Sequence, residues 1–239
     1  MKIACICCTF NRPHLLADSI ECFNRQTYPL QKRELIILDD AGQYEEQAGP
    51  GWWLLSVGKR FRTLGEKRNA SAALVSADVD ALAVWDDDDV YLPWHLEQAA
   101  EVLQAGADWS RPDRLWVDHP KQFKPKMARG LFHAAWIFTR DAFIRAGGYP
   151  AMQSGQDQKL GGRLRRAGAA FASPTPAGRA SFVLRWGTVK TPHLSAMSRN
   201  NGYERRANEE IIRQTEPIRP AWSQDWVKKA EEAEEAVQC

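Results

Sequence analysis

The chain has 239 residues, of which 44% are hydrophobic and 26% are charged, and its formal net charge is +2. These proportions are ordinary for a soluble globular protein and exclude a disordered, collagen-like or coiled-coil chain. Dedicated nucleic-acid binders carry a larger basic excess, so the overall charge gives no support to that class.

Cysteine usage predicts reduced thiols in a cytosolic protein. Cys5, Cys7 and Cys8 share one apolar segment, where an internal disulfide is geometrically poor. Cys5 and Cys8 have the spacing of a redox pair, but their apolar context predicts buried, inert thiols. No stretch approaches ~18 apolar residues, and the first segment is too short for a signal peptide. We therefore expect a cytoplasmic location.

Alternating strand and helix patterns characterise the first half of the chain. Short apolar runs predict strands over residues 2–9, 34–38, 53–57 and 81–85. Helical spacing predicts helices that begin at Pro13 and that cover residues 66–76 and 93–105. Such alternation implies an α/β fold with a mostly parallel sheet, which binds ligands at the carboxyl ends of its strands.

The second half is less regular. Residues 113–129 have the composition of a connector with a strand near Trp116. The patterns that follow predict a strand over 131–139 and helices over 141–146 and 158–167. They also predict strand and loop over 170–189, and helices over 203–215 and 225–238. The last helix has no long apolar face, which predicts a surface element. We expect one domain over 1–200, with halves 1–93 and 94–200, and a helical extension over 201–239.

Asp86, Asp87, Asp88 and Asp89 follow a predicted strand. Adjacent carboxylates repel one another, at about 4 kcal/mol for a pair ~4 Å apart and an effective dielectric constant of 20. A partly buried run therefore needs positive charge, and Mg²⁺ or Mn²⁺ prefers such oxygen ligands. In an extended segment Asp86 and Asp88 share one face, and Asp87 and Asp89 the other. The alternative is a solvated acidic turn.

Further polar residues stand at predicted element ends. Asp39 and Asp40 end a strand, where aspartates also serve as ordinary turn residues. Lys67 and Arg68 precede a helical run, and their cations can meet a phosphate or a carboxylate, or be exposed. Asp157 leads a helix, where a carboxylate can accept a proton from a hydroxyl or cap the helix.

Six segments, in this order, resemble the GT-A glycosyltransferases of the family-2-like group. They are CTFNRP (8–13), LIILDDAG (35–42), GEKRNAS (65–71), VWDDDDVYLP (84–93), GGYP (147–150) and GQDQKL (155–160). The resemblance spans residues 2–195. It implies a GT-A (Rossmann-like) fold with a central sheet flanked by helices, and a metal-dependent, inverting transfer of a sugar from a nucleotide-diphosphate sugar, a UDP-sugar first of all.

The resemblance also implies roles in donor binding. Thr9 and Arg12 border the nucleotide, and Asp40, together with Asp39, binds the edge of the base. Arg68 lies near the base or the diphosphate.

The four consecutive aspartates resemble the DxD metal motif of this group, with one residue of latitude in its register. Asp86 and Asp87 contact the donor, the latter at the ribose or the sugar. Asp88 binds the Mn²⁺ or Mg²⁺ that bridges the diphosphate, and His193 resembles a late histidine that completes the coordination.

Asp157 matches the catalytic base of the group, which would deprotonate the acceptor hydroxyl. The family usually has an acidic residue just before it, where this chain has Gln156.

Residues 94–200, the half expected to bind the acceptor, predict less about function. Glycans and lipid-linked sugars are the ordinary acceptors, and the lack of an apolar anchor disfavours a lipid. Hydroxymethylated pyrimidine in phage DNA is an alternative acceptor, suggested by three basic groups and nearby tryptophans that could stack on a base: Lys121, Lys124, Lys126 and Arg129; Arg163, Arg165 and Arg166; Arg199, Arg205 and Arg206; Trp109, Trp116 and Trp136. Two other classes remain open, a non-catalytic binding module for sugar nucleotides or nucleic acid, and a nucleotidyltransferase, which would release pyrophosphate.

Overall fold

The computed structural model describes residues 1–129, 132–174, 179–186, 210–211 and 213–238. Its strands are β1 (Ile3–Thr9), β2 (Arg33–Asp39), β3 (Gln47–Gly49), β4 (Trp52–Ser56), β5 (Ala81–Val84), β6 (Val90–Tyr91), β7 (Trp109–Ser110), β8 (Arg114–His119), β9 (Gln122–Met127), β10 (Ile137–Thr139), β11 (Phe171–Ala172) and β12 (Phe182–Arg185). Its helices are α1 (Pro13–Asn24), α2 (Leu64–Ala73), α3 (His95–Gln104), α4 (Arg140–Arg145), α5 (Gln156–Arg166) and α6 (Trp226–Gln238).

The central sheet has the strand order β11-β7-β10-β5-β1-β2-β4-β3. Strands β10 and β3 run antiparallel to their neighbours, and the other pairs are parallel. The mostly parallel α/β sheet expected from the sequence is therefore confirmed.

Both faces of this sheet are buried, because side chains alternate between two apolar clusters. Cys5, Leu35 and Ala83 pair across β1, β2 and β5 and pack with α1 and α3 on one face. Ile6 and Ile36 pack on the other face, with α4 and α5. Burial on both sides explains why the predicted strands are continuous apolar runs.

A second sheet, of order β6-β12-β8-β9, stands beside the first. Residues 113–129, predicted as a connector with one strand, contain the whole β8–β9 hairpin. Trp116 and Phe123 stack across this hairpin with ring centroids 5.2 Å apart, while Lys124 and Lys126 point to solvent. The alternation of apolar and basic residues thus reflects an edge strand with one covered face.

Two further predictions change near the end of the chain. The strand expected over 131–139 is reduced to β10, which follows a 3-10 turn over His133–Ala135. Of the helix expected over 203–215, residues 210–211 and 213–215 are not helical, and the remainder lies outside the described residues. The final helix forms as predicted, but Trp226 and Ala230 are buried in the core, so α6 is anchored by two side chains.

The thiols behave as predicted from their apolar setting. Cys5, Cys7, Cys8 and Cys22 are free, and burial raises the pKa of each, to about 11 for Cys8 and Cys22. Such thiols are not poised for redox chemistry. Within the described ranges, no helix has the length and apolar character needed to cross a membrane.

His95 makes stability depend on pH. Its ring is buried beside Trp85 and Tyr91, and burial lowers its pKa to about 3 from the ordinary 6.5. The unfolded chain therefore binds a proton below pH 6.5 that the folded chain excludes, so acidification destabilises the fold. We predict that the decrease in unfolding free energy from pH 7 to pH 5 is smaller by about 2 kcal/mol in His95→Gln than in the unmodified protein. Urea unfolding at both pH values measures this.

The control variant is His119→Gln, because His119 lies at the partly exposed end of β8. It should keep the pH dependence of the unmodified protein. An unchanged pH dependence in His95→Gln would contradict the buried, neutral state of this ring.

Candidate functional site

The predicted polar residues converge at the carboxyl edge of the central sheet. Thr9 and Asp39 end β1 and β2 in register, and Asp86 lies two residues beyond the end of β5. Because these three strands are adjacent and parallel, their carboxyl ends meet at one edge.

Asp86–Asp89, called the aspartate turn below, connects β5 of the first sheet to β6 of the second. The chain bends at Asp87 and Asp88, so the two-faced arrangement expected for an extended segment is wrong. Carboxylate oxygens of Asp86, Asp88 and Asp89 lie within 4.8 Å of one another. Asp87 is fully buried and pairs with Arg12.

Two buried arginines neutralise the aspartate turn. Arg12 pairs with both Asp87 and Asp88, at 2.7 Å for the latter, and Arg68 pairs with Asp86 at 3.1 Å. Burial alone would lower the pKa of both guanidinium groups, but the carboxylates raise it above the ordinary value. Burial raises the pKa of Asp87 to about 6, although Arg12 opposes this. These cations make a close run of carboxylates tolerable.

Tyr91, which sequence reasoning did not single out, holds the first residue of the turn. Its hydroxyl accepts a hydrogen bond from the Asp86 amide at 2.7 Å and donates to the Ala134 carbonyl at 3.1 Å. Its ring stacks on Trp85 at a centroid distance of 3.8 Å. The backbone before the carboxylates is therefore fixed by the core.

Asp39 forms hydrogen bonds within the turn that follows β2. Its carboxylate accepts hydrogen bonds from the amides of Ala41 and Gln43 and from the hydroxyl of Ser56, at 2.7 to 3.2 Å. Its side chain is fully buried. This is the turn role that the sequence left open, and base recognition by Asp39 stays a prediction.

Asp40 forms a buried ion pair with Lys67 and accepts a hydrogen bond from the Phe61 amide at 3.0 Å. The Lys67 ammonium also donates to the Thr9 carbonyl, and only 2% of this residue is exposed. Lys67 therefore connects the ends of β1 and β2. Of the partners considered for Lys67 and Arg68, a carboxylate is the one found for both.

A chain of hydrogen bonds extends from Arg68 to two residues of the second half of the chain. Arg68 Nη1 lies 2.8 Å from Nδ1 of His133, whose Nε2 lies 2.9 Å from the Tyr149 hydroxyl. Because a guanidinium only donates, Nδ1 accepts and Nε2 carries the proton. Burial, together with Arg68, lowers the pKa of His133 well below its ordinary value, so the ring is neutral.

Asp157 lies in the first turn of α5, after Gly155, whose φ of +71° favours glycine. Its side chain is half-buried, and its charge acts on both Arg68 and Tyr149. Asp157 thus belongs to the same end of the molecule as the aspartate turn. Gln156, just before it, is buried.

Several other predicted site residues either lie outside the described residues or are buried in the core. His193 and the basic group at 199–206 lie outside the described residues. Trp109, Trp116 and Trp136 are at most 3% exposed, so the prediction that they stack on a nucleic-acid base is wrong for this structure. Their rings serve the core instead, as those of Trp109 and Trp136, 5.1 Å apart, illustrate.

Residues 4–146 match the protein family described as glycosyl transferase family 2. A curated relative, the uncharacterized glycosyltransferase YwdF of Bacillus subtilis (strain 168), is 30% identical over 121 residues, which are 47% of this chain and 42% of that protein. The chain therefore spans less than half the length of this relative.

Two solved structures have the same fold. S. aureus TarS 1–349 in complex with UDP-GlcNAc superposes with a TM-score of 0.65 at 13% identity, covering 82% of this chain and 61% of that one. The mannosyltransferase PcManGT from Pyrobaculum calidifontis, in complex with GDP-Man and Mn²⁺, superposes with a TM-score of 0.59 at 16% identity, covering 79% and 57%. The GT-A fold expected from the six segments is confirmed.

The Lys67 pair gives a stability prediction. Lys67→Met removes the cation that pairs with the buried Asp40 carboxylate, which costs about 3–5 kcal/mol of unfolding free energy. Asp40→Asn in the same chain should recover part of this loss, because the uncompensated charge is gone. Urea unfolding of both variants measures the difference, with Lys228→Met, at an exposed pair with Glu232, as the control. A Lys67→Met variant within about 1 kcal/mol of the unmodified protein would contradict the buried pair.

Proposed function

The chain belongs to glycosyl transferase family 2, and on that premise we propose that it transfers a sugar from a nucleoside diphosphate sugar to an acceptor hydroxyl. The observation that carries the proposal is the aspartate turn, set between buried arginines at the carboxyl edge of a parallel sheet. Ligands of open α/β sheets bind at this edge.

Two residues of the donor site we propose, Arg12 and Arg68, already bind carboxylates within the protein. Arg12 and Arg68 can exchange a carboxylate for a phosphate oxygen, since a guanidinium suits both. Thr9, Asp39 and Asp40 surround the nucleotide in this proposal. The UDP-GlcNAc bound by one structural neighbour and the GDP-Man bound by the other support a nucleoside diphosphate sugar, with UDP-sugars the first to test.

The aspartate turn has the chemistry of a divalent cation site. Its carboxylates offer only hard oxygen ligands, and those of Asp86, Asp88 and Asp89 converge within 4.8 Å. We propose that Asp88 and its neighbours hold Mn²⁺ or Mg²⁺, with Asp86 and Asp87 towards the donor, and His193 stays a predicted further ligand. The bound ion would supply electrostatic stabilisation of the leaving diphosphate. The Mn²⁺ reported with PcManGT supports this use of a metal.

Asp157 is the catalytic base of the proposed reaction. A half-buried carboxylate at the start of α5 can contact an acceptor while its backbone is held in the helix. It would take the proton of the acceptor hydroxyl as that oxygen attacks the anomeric carbon from the face opposite the diphosphate. A single displacement of this kind inverts the anomeric centre.

For the acceptor we propose a hydroxyl of a glycan. The DNA alternative loses its stacking residues, because Trp109, Trp116 and Trp136 are in the core. Of the basic groups, Lys121, Lys124 and Lys126 are exposed at or beside the edge strand β9. Arg163 is instead engaged with the carbonyls of Gly147 and Gly148.

Asp157→Asn tests the proposed base. We predict that the variant binds the donor as the unmodified protein does, while transfer falls by about 10²–10⁴-fold, the usual contribution of general base catalysis. Donor affinity is measured by calorimetry, and transfer by release of nucleoside diphosphate with a mixed glycan acceptor. Release of pyrophosphate from a nucleoside triphosphate would instead indicate a nucleotidyltransferase.

The matched control is Asp141→Asn, which changes an exposed carboxylate in the first turn of another helix, α4. It should leave transfer unchanged. Near-full turnover in Asp157→Asn would contradict the base assignment.

A further inference from the structure

Arg185, at the end of β12, binds the backbone of the aspartate turn. Its Nε donates to the carbonyl of Asp88 at 2.7 Å, and its Nη2 to the carbonyl of Asp87 at 3.4 Å. Its backbone amide donates to the carboxylate of Asp89 at 3.1 Å. Three consecutive aspartates are therefore bound by one residue of another strand.

The guanidinium of Arg185 is itself held in place. Its Nη1 pairs with Asp18 of α1 at 2.8 Å, and the side chains of both residues are at most 7% exposed. Asp18 in turn accepts hydrogen bonds from the amide and the hydroxyl of Ser223, at 2.6 and 2.9 Å. The segment before α6 thus reaches the aspartate turn through Asp18 and Arg185.

We propose that Arg185 is a positioning residue that keeps the aspartate turn in its cation-binding shape, with Asp18 setting the direction of its guanidinium. The inference rests on the proposed function, since it assumes that the turn binds a divalent cation. Carboxylates that converge within 4.8 Å repel one another and separate unless the backbone between them is fixed. Arg12 and Arg68 bind the carboxylates of this turn, whereas Arg185 binds its carbonyls.

This role depends on the guanidinium rather than on positive charge alone. A lysine at position 185 would keep the charge and the backbone amide bond to Asp89. Its single nitrogen cannot span the carbonyls of Asp87 and Asp88 and the carboxylate of Asp18 together. Arg185→Lys therefore tests the contribution of the guanidinium hydrogen bonds separately from that of the positive charge.

The test compares Mn²⁺ binding by Arg185→Lys and by the unmodified chain, with UDP present, from the loss of the free-ion signal in electron paramagnetic resonance. We expect the variant's Mn²⁺ affinity to fall about tenfold or more, the usual effect of removing a partner that orients metal ligands. Ser223→Ala, which removes one bond to Asp18, should show a smaller loss and serves as the second variant should Arg185→Lys fail to fold.

The matched control is Arg33→Lys. Arg33 is also buried, and its guanidinium also donates to two carbonyls, those of Gln26 and Asn24, but at the amino end of β2. It should lower the melting temperature as Arg185→Lys does and leave the Mn²⁺ affinity unchanged.

Equal Mn²⁺ affinity in Arg185→Lys and the unmodified chain would overturn the positioning role while leaving the proposed function intact. Equal losses in Arg185→Lys and Arg33→Lys would also overturn it, since the effect would then be general destabilisation. An unmodified chain that binds no Mn²⁺ with UDP would contradict the proposed function, and this inference with it.

Discussion

Consecutive carboxylates can occupy a buried turn only when positive charge and hydrogen-bond donors surround them, and this constraint organises the molecule. At separations of ~4 Å and an effective dielectric constant of 20, each like-charged pair costs about 4 kcal/mol. The protein meets the cost with Arg12 from the start of α1, Arg68 from α2 and Arg185 from β12. Elements far apart in the sequence are thereby required at one place, so the site and the fold stabilise each other. In the proposed function, the carboxylates of the same turn would bind a divalent cation.

The aspartate turn is also where the two sheets meet. β5 enters it from the central sheet and β6 leaves it for the second sheet, whose strand β12 carries Arg185. Tyr91, in β6, accepts a hydrogen bond from the Asp86 amide and stacks on Trp85. Apolar and aromatic side chains thus pack directly behind the polar site, and this packing holds the carboxylates of the aspartate turn in place.

The parallel core of the fold and much of the site could be predicted from local sequence. Continuous apolar runs ending in polar residues identify strands buried on both faces, so Asp39 and Asp86 were expected at one edge. The assignment of Asp157 to the site rests on the resemblance of GQDQKL (155–160) to the GT-A group, since a helix start alone equally suits a capping residue. What could not be predicted depends on contacts between distant residues. That Asp89 joins Asp86 and Asp88 depends on a turn held by Arg185, about a hundred residues later. The second sheet was hidden because its strands are short and its hairpin mixes lysines with aromatic residues.

The most direct test of the account is the melting temperature of the unmodified protein and of Asp88→Asn with nucleoside diphosphate sugars, each with Mn²⁺ and with EDTA. A ligand that binds only the folded state raises the melting temperature by mass action. We predict a rise with at least one donor that requires Mn²⁺ and is lost in Asp88→Asn. A rise that is unchanged by EDTA and by Asp88→Asn, or no rise with any donor, would contradict the claim that the aspartate turn binds a donor through a divalent cation.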